Sequence, residues 1–274
     1  MMDFLLGTYK TLLSTLKVRK YGLSSFKAYL FSSDDVLYNH RVILRHDVDR
    51  LPQNALEMAR LERELGICAT YYFRTVPESF DEEVIAQIAE LGHEIGYHYE
   101  DVDLTAKQMR AKGKRVASAD ELLEPAMELF EKNLEKLRVL YPVKTACMHG
   151  SPLSRYDNRL LWEKYDYRDY GIIGEPYFDL DFNEVLYLTD TGRRWNSGAA
   201  NVRDKVNSKM NYRFRSTKDI LENVNSLPSQ VMLNIHPHRW HDSYYLWTRE
   251  LLFQNLKNVV KVFVAYKMAG KDDE

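Results

Sequence analysis

The stretch Arg41-Val42-Ile43-Leu44-Arg45-His46-Asp47-Val48-Asp49, with Pro52 behind it and an apolar stripe of Ala55, Met58, Ala59 and Leu65, decides the fold. Arg41 to Asp47 reads as a short strand. Pro52 suits the first turn of a helix, where its missing N–H is no loss. Gly66 suits the position just past the helix end. The unit then repeats. Ile67 to Phe73 reads as a second strand. Ser79 and Glu82 read as a capping box for a helix carrying Val84, Ile85, Ile88 and Leu91 that stops at Gly92. Glu94 to His98 reads as a third strand. Ser118 and Glu121 read as a second capping box, for a helix carrying Leu122, Leu123, Ala126, Phe130, Leu134 and Leu137. Val143 to Met148 reads as a fourth strand. Strands alternating with helices predict a parallel sheet. Right-handed crossovers then bring the strand C-termini to one side.

On either side of this core the pattern loosens. The first thirty residues read as one or two helices, with Leu5, Leu6, Tyr9, Leu12, Leu13 and Leu16 at helical spacing. They predict an N-terminal helical extension over 1–35, packed on the core or lying on a membrane surface. Val185 to Leu188 and Val231 to Ile235 read as further strands, Ser216 as a helix cap, and Tyr244 to Ala269 as a long C-terminal helix. Tyr99 to Ala117 and Gly174 to Arg215 read as long irregular stretches, which in a compact domain are usually functional or mobile. No linker or low-complexity tract divides the chain, so 1–274 reads as a single domain.

Composition narrows the function classes. At 274 residues the chain buries well over half of its unfolded surface without disulfide or metal. Its 38 basic and 40 acidic residues give a charge of -2, which argues against a nucleic-acid binder. Two cysteines, Cys68 and Cys147, exclude a disulfide scaffold and read as small core residues. No run approaches the ~20 apolar residues of a membrane helix. Asp3 and Lys10 break any signal-peptide pattern, so the expected location is cytoplasmic.

Histidines gather where the strands end. His46 follows the first, His98 the third, His149 the fourth, and His236 and His238 the last. In a parallel α/β fold these ends form the active-site face. Aspartate with neutral imidazoles is a ligand set for zinc or a similar divalent ion. Asp47 and Asp49 are two apart, so in an extended segment they project the same way. One can bind metal while the other acts as a base. A metal that activates water, a carboxylate beside it and a histidine opposite are the parts of metal-assisted hydrolysis.

In this order the motifs resemble the polysaccharide deacetylase superfamily. Leu91-Gly92-His93-Glu94-Ile95-Gly96-Tyr97-His98 is similar to its G-H-E-I-G-N-H segment, the strand of Asp47 and Asp49 to its T-F-D-D-G motif, and Leu233-Asn234-Ile235-His236 to its late histidine motif. The resemblance covers residues 41 to 240. It implies a deformed (β/α) barrel of about seven parallel strands. It implies removal of an acetyl group from an N-acetylated sugar, assisted by one divalent metal ion, zinc before cobalt or nickel. It implies Asp49 and His98 as metal ligands, Asp47 as the base that takes the water's proton, and His236 as the acid that protonates the departing amine. Three departures stand out. Val48 separates the two acids, Val102 stands where a second ligand histidine is expected, and the fourth strand ends in His149-Gly150-Ser151-Pro152. His149 from the neighbouring strand is the proposed replacement ligand, with Glu100 or Asp101 as alternatives.

Tyr97, Tyr99, Glu100, Trp195 and Trp240 are candidates for the substrate groove, with ordinary packing as the plainer reading of the aromatics. Arg193 and Arg194, in Asp190-Thr191-Gly192-Arg193-Arg194-Trp195, together with the basic runs Lys107 to Arg115 and Arg203 to Arg215, would favour an anionic sugar such as a surface-polysaccharide precursor. Such runs are also common as solvated faces. Two other functions use the same residues: a metal-dependent phosphoesterase, and a carbohydrate-binding barrel without catalysis.

Overall fold

The computed structural model describes residues 2–32, 39–114, 118–151, 154–195 and 206–252. In chain order the elements are α1 (Leu6–Val18), β1 (Tyr21–Ser24), α2 (Phe26–Phe31), β2 (His40–Val48), α3 (Pro52–Glu64), β3 (Thr70–Phe73), α4 (Glu82–Glu90), β4 (Glu94–Tyr99), α5 (Asp101–Ala111), α6 (Asp120–Arg138), β5 (Ala146–Met148), α7 (Leu161–Lys164), α8 (Pro176–Asp179), β6 (Leu186–Thr189), α9 (Thr217–Glu222) and β7 (Gln230–Ile235), followed by α10 over 244–252. No described helix is long and apolar enough to cross a membrane.

All pairings between the strands are parallel, in the order β5-β4-β3-β2-β7-β6. One edge of β2 carries β7 along Arg41–His46; the other carries β1 along His40–Ile43 and then β3 along Arg45–Val48. The sheet curls into a half-barrel, and the fold is a deformed (β/α) barrel. The period of two along β2 assigns its faces. Val42, Leu44 and Val48 enter the core beneath the outer helices, whereas Ile43 packs inside with Phe26, Leu180, Phe182, Val185 and Met232. Full burial of each such side chain contributes about 1.5–3 kcal/mol.

Two glycines permit close packing. A Cβ at Gly96 would come within 2.3 Å of Tyr72 Cε1, so only glycine lets that ring lie across β4. A Cβ at Gly174 would meet Leu30 Cδ1 at 2.5 Å, where α2 closes the lower end of the half-barrel. Thr70 Oγ1 accepts from Phe26 N (2.8 Å) and Glu94 accepts from Lys27 N (2.9 Å), which fixes α2 there.

Several local expectations are corrected. The N-terminal thirty residues contain β1 as well as helices. Residues 101–111 within the supposed irregular stretch form α5. Asp81 caps α4, accepting from Val84 N, because Ser79 Oγ is engaged by Arg74 N and Val48 O instead. The N-cap of α6 falls at Ala119, one residue after Ser118. Ser216 does cap α9, in a reciprocal box with Asp219. Cys147 is buried, but Cys68 is exposed. The C-terminal helix begins at 244; its expected continuation past 252 lies outside the described residues.

Candidate metal centre

Four strand ends meet at the open end of the half-barrel. Asp49 follows β2, His98 lies in β4, His149 follows β5 and His236 follows β7. Asp49 Oδ1 is 3.6 Å from His98 Nε2 and 3.6 Å from His149 Nε2. The three form the one compact metal-ligating group of His, Cys, Asp and Glu found among the described residues.

The hydrogen bonds behind these atoms decide what they offer. His98 Nδ1 lies 2.9 Å from the Cys147 carbonyl oxygen, which can only accept. His149 Nδ1 lies 3.1 Å from Glu100 Oε2 and 3.1 Å from Ser151 Oγ. Each Nδ1 therefore carries the proton, and each Nε2 turns a lone pair towards Asp49. Asp49 Oδ1 is buried and accepts no hydrogen bond. Ligand atoms about 2.0–2.2 Å from a tetrahedral ion stand roughly 3.3–3.6 Å apart. The residues fit a divalent metal ion in donor type and tautomer, and both histidine nitrogens stand at that separation from Asp49. Burial opposes the charge on Asp49, but His98, His149, His236 and His238 outweigh it and hold the carboxyl well below its usual range. Burial likewise disfavours a charged His98, yet Asp47 and Asp49 raise its pKa above the ordinary value.

Asp47 lies beside this triangle on the inner wall. Arg45 grips it sideways, Nε to Oδ1 at 2.8 Å and Nη2 to Oδ2 at 2.7 Å, and Asn234 Nδ2 donates to Oδ2 at 3.1 Å. Oδ2 is 3.8 Å from His98 Nε2 and 4.0 Å from His236 Nε2. Burial raises the Asp47 pKa, and Arg45, His98 and His236 overcome it, leaving a value of about 2.

His236 is aimed from behind. Its Nδ1 is 2.6 Å from Asp190 Oδ1, and its Nε2 is 4.0 Å from Asp49 Oδ2. Asp190 also accepts from His236 N, from Arg239 Nη1 (2.6 Å) and from Trp240 Nε1 (2.8 Å). This carboxylate holds the imidazole with its proton on Nδ1 and fixes the ring's direction.

Sequence reasoning missed Arg45 and Asp190 as partners. The alternation that places Asp47 inward also places Arg45 inward, two residues earlier. Asp190 stands one residue past β6, which pairs with β7.

Other expected site residues are not brought to the centre. Tyr97 and Tyr99 point outward because His98 points inward. Both are buried, Tyr97 bonded to Asp101 and Tyr99 to Trp162 and Glu175. Trp195 donates to Thr217, and Trp240 packs on Phe4 and Tyr9. The Arg193 guanidinium lies 4.9 Å over the ring of Phe4 and 5.2 Å over that of Trp247, while Arg194 is exposed. Glu100 stands behind His149, paired with Arg74, and Asp101 is buried under Tyr97 and Asn133. The tyrosines that do face inward are Tyr72 and Tyr177, whose ring centroids lie 5.7 and 5.2 Å from the Arg45 guanidinium, and Tyr187, which accepts from Asn234 at 2.9 Å.

No protein-family model matches the chain, and no curated protein matches it in sequence. Among solved structures it is similar to a protein from Bordetella bronchiseptica assigned as a polysaccharide deacetylase of O-antigen biosynthesis, at 14% identity and a TM-score of 0.42, over 84% of this chain and 86% of that one. It is similar to a mutant of BA3943, a CE4-family pseudoenzyme with restored enzymatic activity, at 13% identity and a TM-score of 0.37, over 80% of this chain and 62% of that one. It is also similar to the Xyl-CE4 domain of a multidomain xylanase from the hindgut metagenome of Trinervitermes trinervoides, at 13% identity and a TM-score of 0.32, over 84% and 83% of the two chains.

Proposed function

We propose that the chain is a metal-dependent hydrolase that removes an acetyl group from an N-acetylated sugar. The observation that carries this reading is the triangle of Asp49 Oδ1, His98 Nε2 and His149 Nε2, with the two imidazole edges 3.6 Å from the carboxylate. Zinc is the first candidate for the metal, with cobalt and nickel next. A divalent ion held there would acidify water and polarise an acyl carbonyl.

The chain's own residues supply the rest. Asp47 is ionised at every pH of interest and lies 3.8 Å from His98 Nε2, placed to receive a proton from attacking water. His236 approaches from the β7 side and delivers a proton to the departing amine nitrogen, its ring held in place by Asp190. Tyr177 and Tyr187, half-buried near Arg45 and Asn234, offer aromatic surface beside Asp47's partners for a sugar ring. Anionic character of the sugar would rest on Arg194, since Arg193 is sequestered between two rings.

The test is metal content by elemental analysis of untagged protein, followed by acetate release from a panel of N-acetylated sugars and sugar phosphates. About one divalent ion per chain, lost in Asp49→Ala and His149→Ala, together with acetate release that needs the metal, is the expected result. Protein that takes up no zinc, cobalt or nickel would overturn the reading. Metal binding with release of phosphate and no acetate would move the activity to a phosphoesterase.

A further inference from the structure

We propose that Arg74, acting with Glu100, is the positioning residue that holds the three ligand-bearing strand ends together; this rests on reading Asp49, His98 and His149 as the metal ligands. Arg74 follows β3, between the ends of β2 and β4. Its Nη1 donates to the Asp49 carbonyl oxygen at 3.0 Å. Its Nε donates to Glu100 Oε1 at 2.6 Å, and Nη2 is 2.5 Å from the same oxygen. The other Glu100 oxygen holds His149 Nδ1 at 3.1 Å. One guanidinium thus touches the backbone of the first ligand and, through one carboxylate, the ring of the third.

The grip extends to the loop itself. Arg74 N donates to Ser79 Oγ at 3.1 Å, and Ser79 Oγ donates to the Val48 carbonyl. The loop after β3 is therefore fastened to the end of β2 at two successive carbonyls, those of Val48 and Asp49.

This arrangement answers a specific need. Val102, one helical turn past His98, is buried in the core and offers no donor atom. The third ligand comes from a different strand, and its ring orientation depends on what binds Nδ1. Glu100 has a side chain only 3% exposed, so its charge needs a partner there. Arg74 supplies a planar fork that reaches a carboxylate and a carbonyl at once. A lysine ammonium keeps the charge but not that geometry.

The experiment measures zinc affinity of the metal-depleted full-length protein by competition with a chromophoric chelator, for wild type, Arg74→Lys, Glu100→Gln and the surface control Glu57→Gln. Circular dichroism verifies folding, and cobalt substitution reports ligand geometry through its visible absorption. Loss of an outer partner typically weakens metal binding by about 10–100-fold. The expected result is a loss of that size in Arg74→Lys and Glu100→Gln, with altered cobalt bands and no change in Glu57→Gln. If Glu100→Gln does not fold, Arg74→Lys decides alone. Zinc affinity within about twofold of wild type in folded Arg74→Lys would overturn the proposal while leaving the ligands intact. Wild type that binds no zinc, or keeps it in Asp49→Ala, would instead overturn the ligand reading.

Discussion

His149 Nε2 stands 3.6 Å from Asp49 Oδ1, the same separation that His98 Nε2 keeps from that oxygen. The equality matters because the two histidines come from different strands. β4 and β5 pair with His98 opposite Cys147, so His149 falls two residues further on, past the end of β5. Two residues on from Cys147, His149 keeps the parity of the strand and turns to the side that His98 faces.

The centre should bind metal more tightly as pH rises. Metal needs His98 neutral at Nε2. Asp47 and Asp49 raise the His98 pKa above its ordinary 6.5 despite burial, so a proton competes for the nitrogen up to and beyond that pH. Zinc titrations between about pH 5.5 and 8.5 should show an affinity that still climbs above pH 6.5, by up to about tenfold per unit for one proton released. An affinity independent of pH across this range would refute the assignment of His98.

His236 and Asp190 should act as a pair. His236→Ala is expected to lower kcat on an N-acetylated substrate by about 10²–10⁴, the usual worth of a general acid, without loss of metal. Asp190→Asn replaces the acceptor behind Nδ1 with a group able to donate, which favours the wrong tautomer. Its kcat should fall within the same range, and the double variant should fall little further. Additive losses would show that Asp190 does not act through His236.

Much of this was legible in the sequence, and the misses share a cause. The strand–helix alternation gave the parallel sheet, and the histidines at strand ends marked the face where Asp49, His98 and His149 meet. Spacing along one strand says which residues share a face, but not which face points inward. Spacing alone therefore offers Tyr97 and Tyr99 to the groove, although His98, between them, claims the inner side. Asp190 and Arg74 depend on contacts between strands distant in sequence, Asp190 being 46 residues from His236 and Arg74 26 from Glu100. No local pattern announces either pair. The four-residue strand β1 was lost within a helical spacing of leucines.

The Arg45–Asp47 pair should be expensive to break on one side. Their side chains are 1% and 4% exposed, and removing one partner of a buried pair typically costs about 3–5 kcal/mol. Arg45→Met should lose that much in urea unfolding of metal-free protein, and adding Asp47→Asn should recover part of it. The folded Asp47 pKa of about 2 lies below the ordinary aspartate value of 3.8. The pair's contribution is then present above pH ~3.8 and is lost as pH falls towards 2, worth roughly 2 kcal/mol. A single Arg45→Met variant as stable as wild type would mean that the guanidinium is not compensating the carboxylate.

Asp101 should give the opposite slope. It accepts from Tyr97 and Asn133, yet burial without a cationic partner pushes its pKa from 3.8 to about 7. Between these values the folded chain holds a proton that the unfolded chain has released. Stability must therefore fall as pH rises from about 4 to 7, by about 1.4 kcal/mol per unit and roughly 4 kcal/mol in all. Glu175, also raised to about 7 by burial, adds a slope of the same sign. Asp101→Asn cannot ionise, so it removes one of the two. In urea unfolding at about pH 4.5, 6 and 7.5, the variant should gain steadily on wild type as pH increases. A stability difference that stays constant over this span would show that Asp101 is ionised in the folded chain.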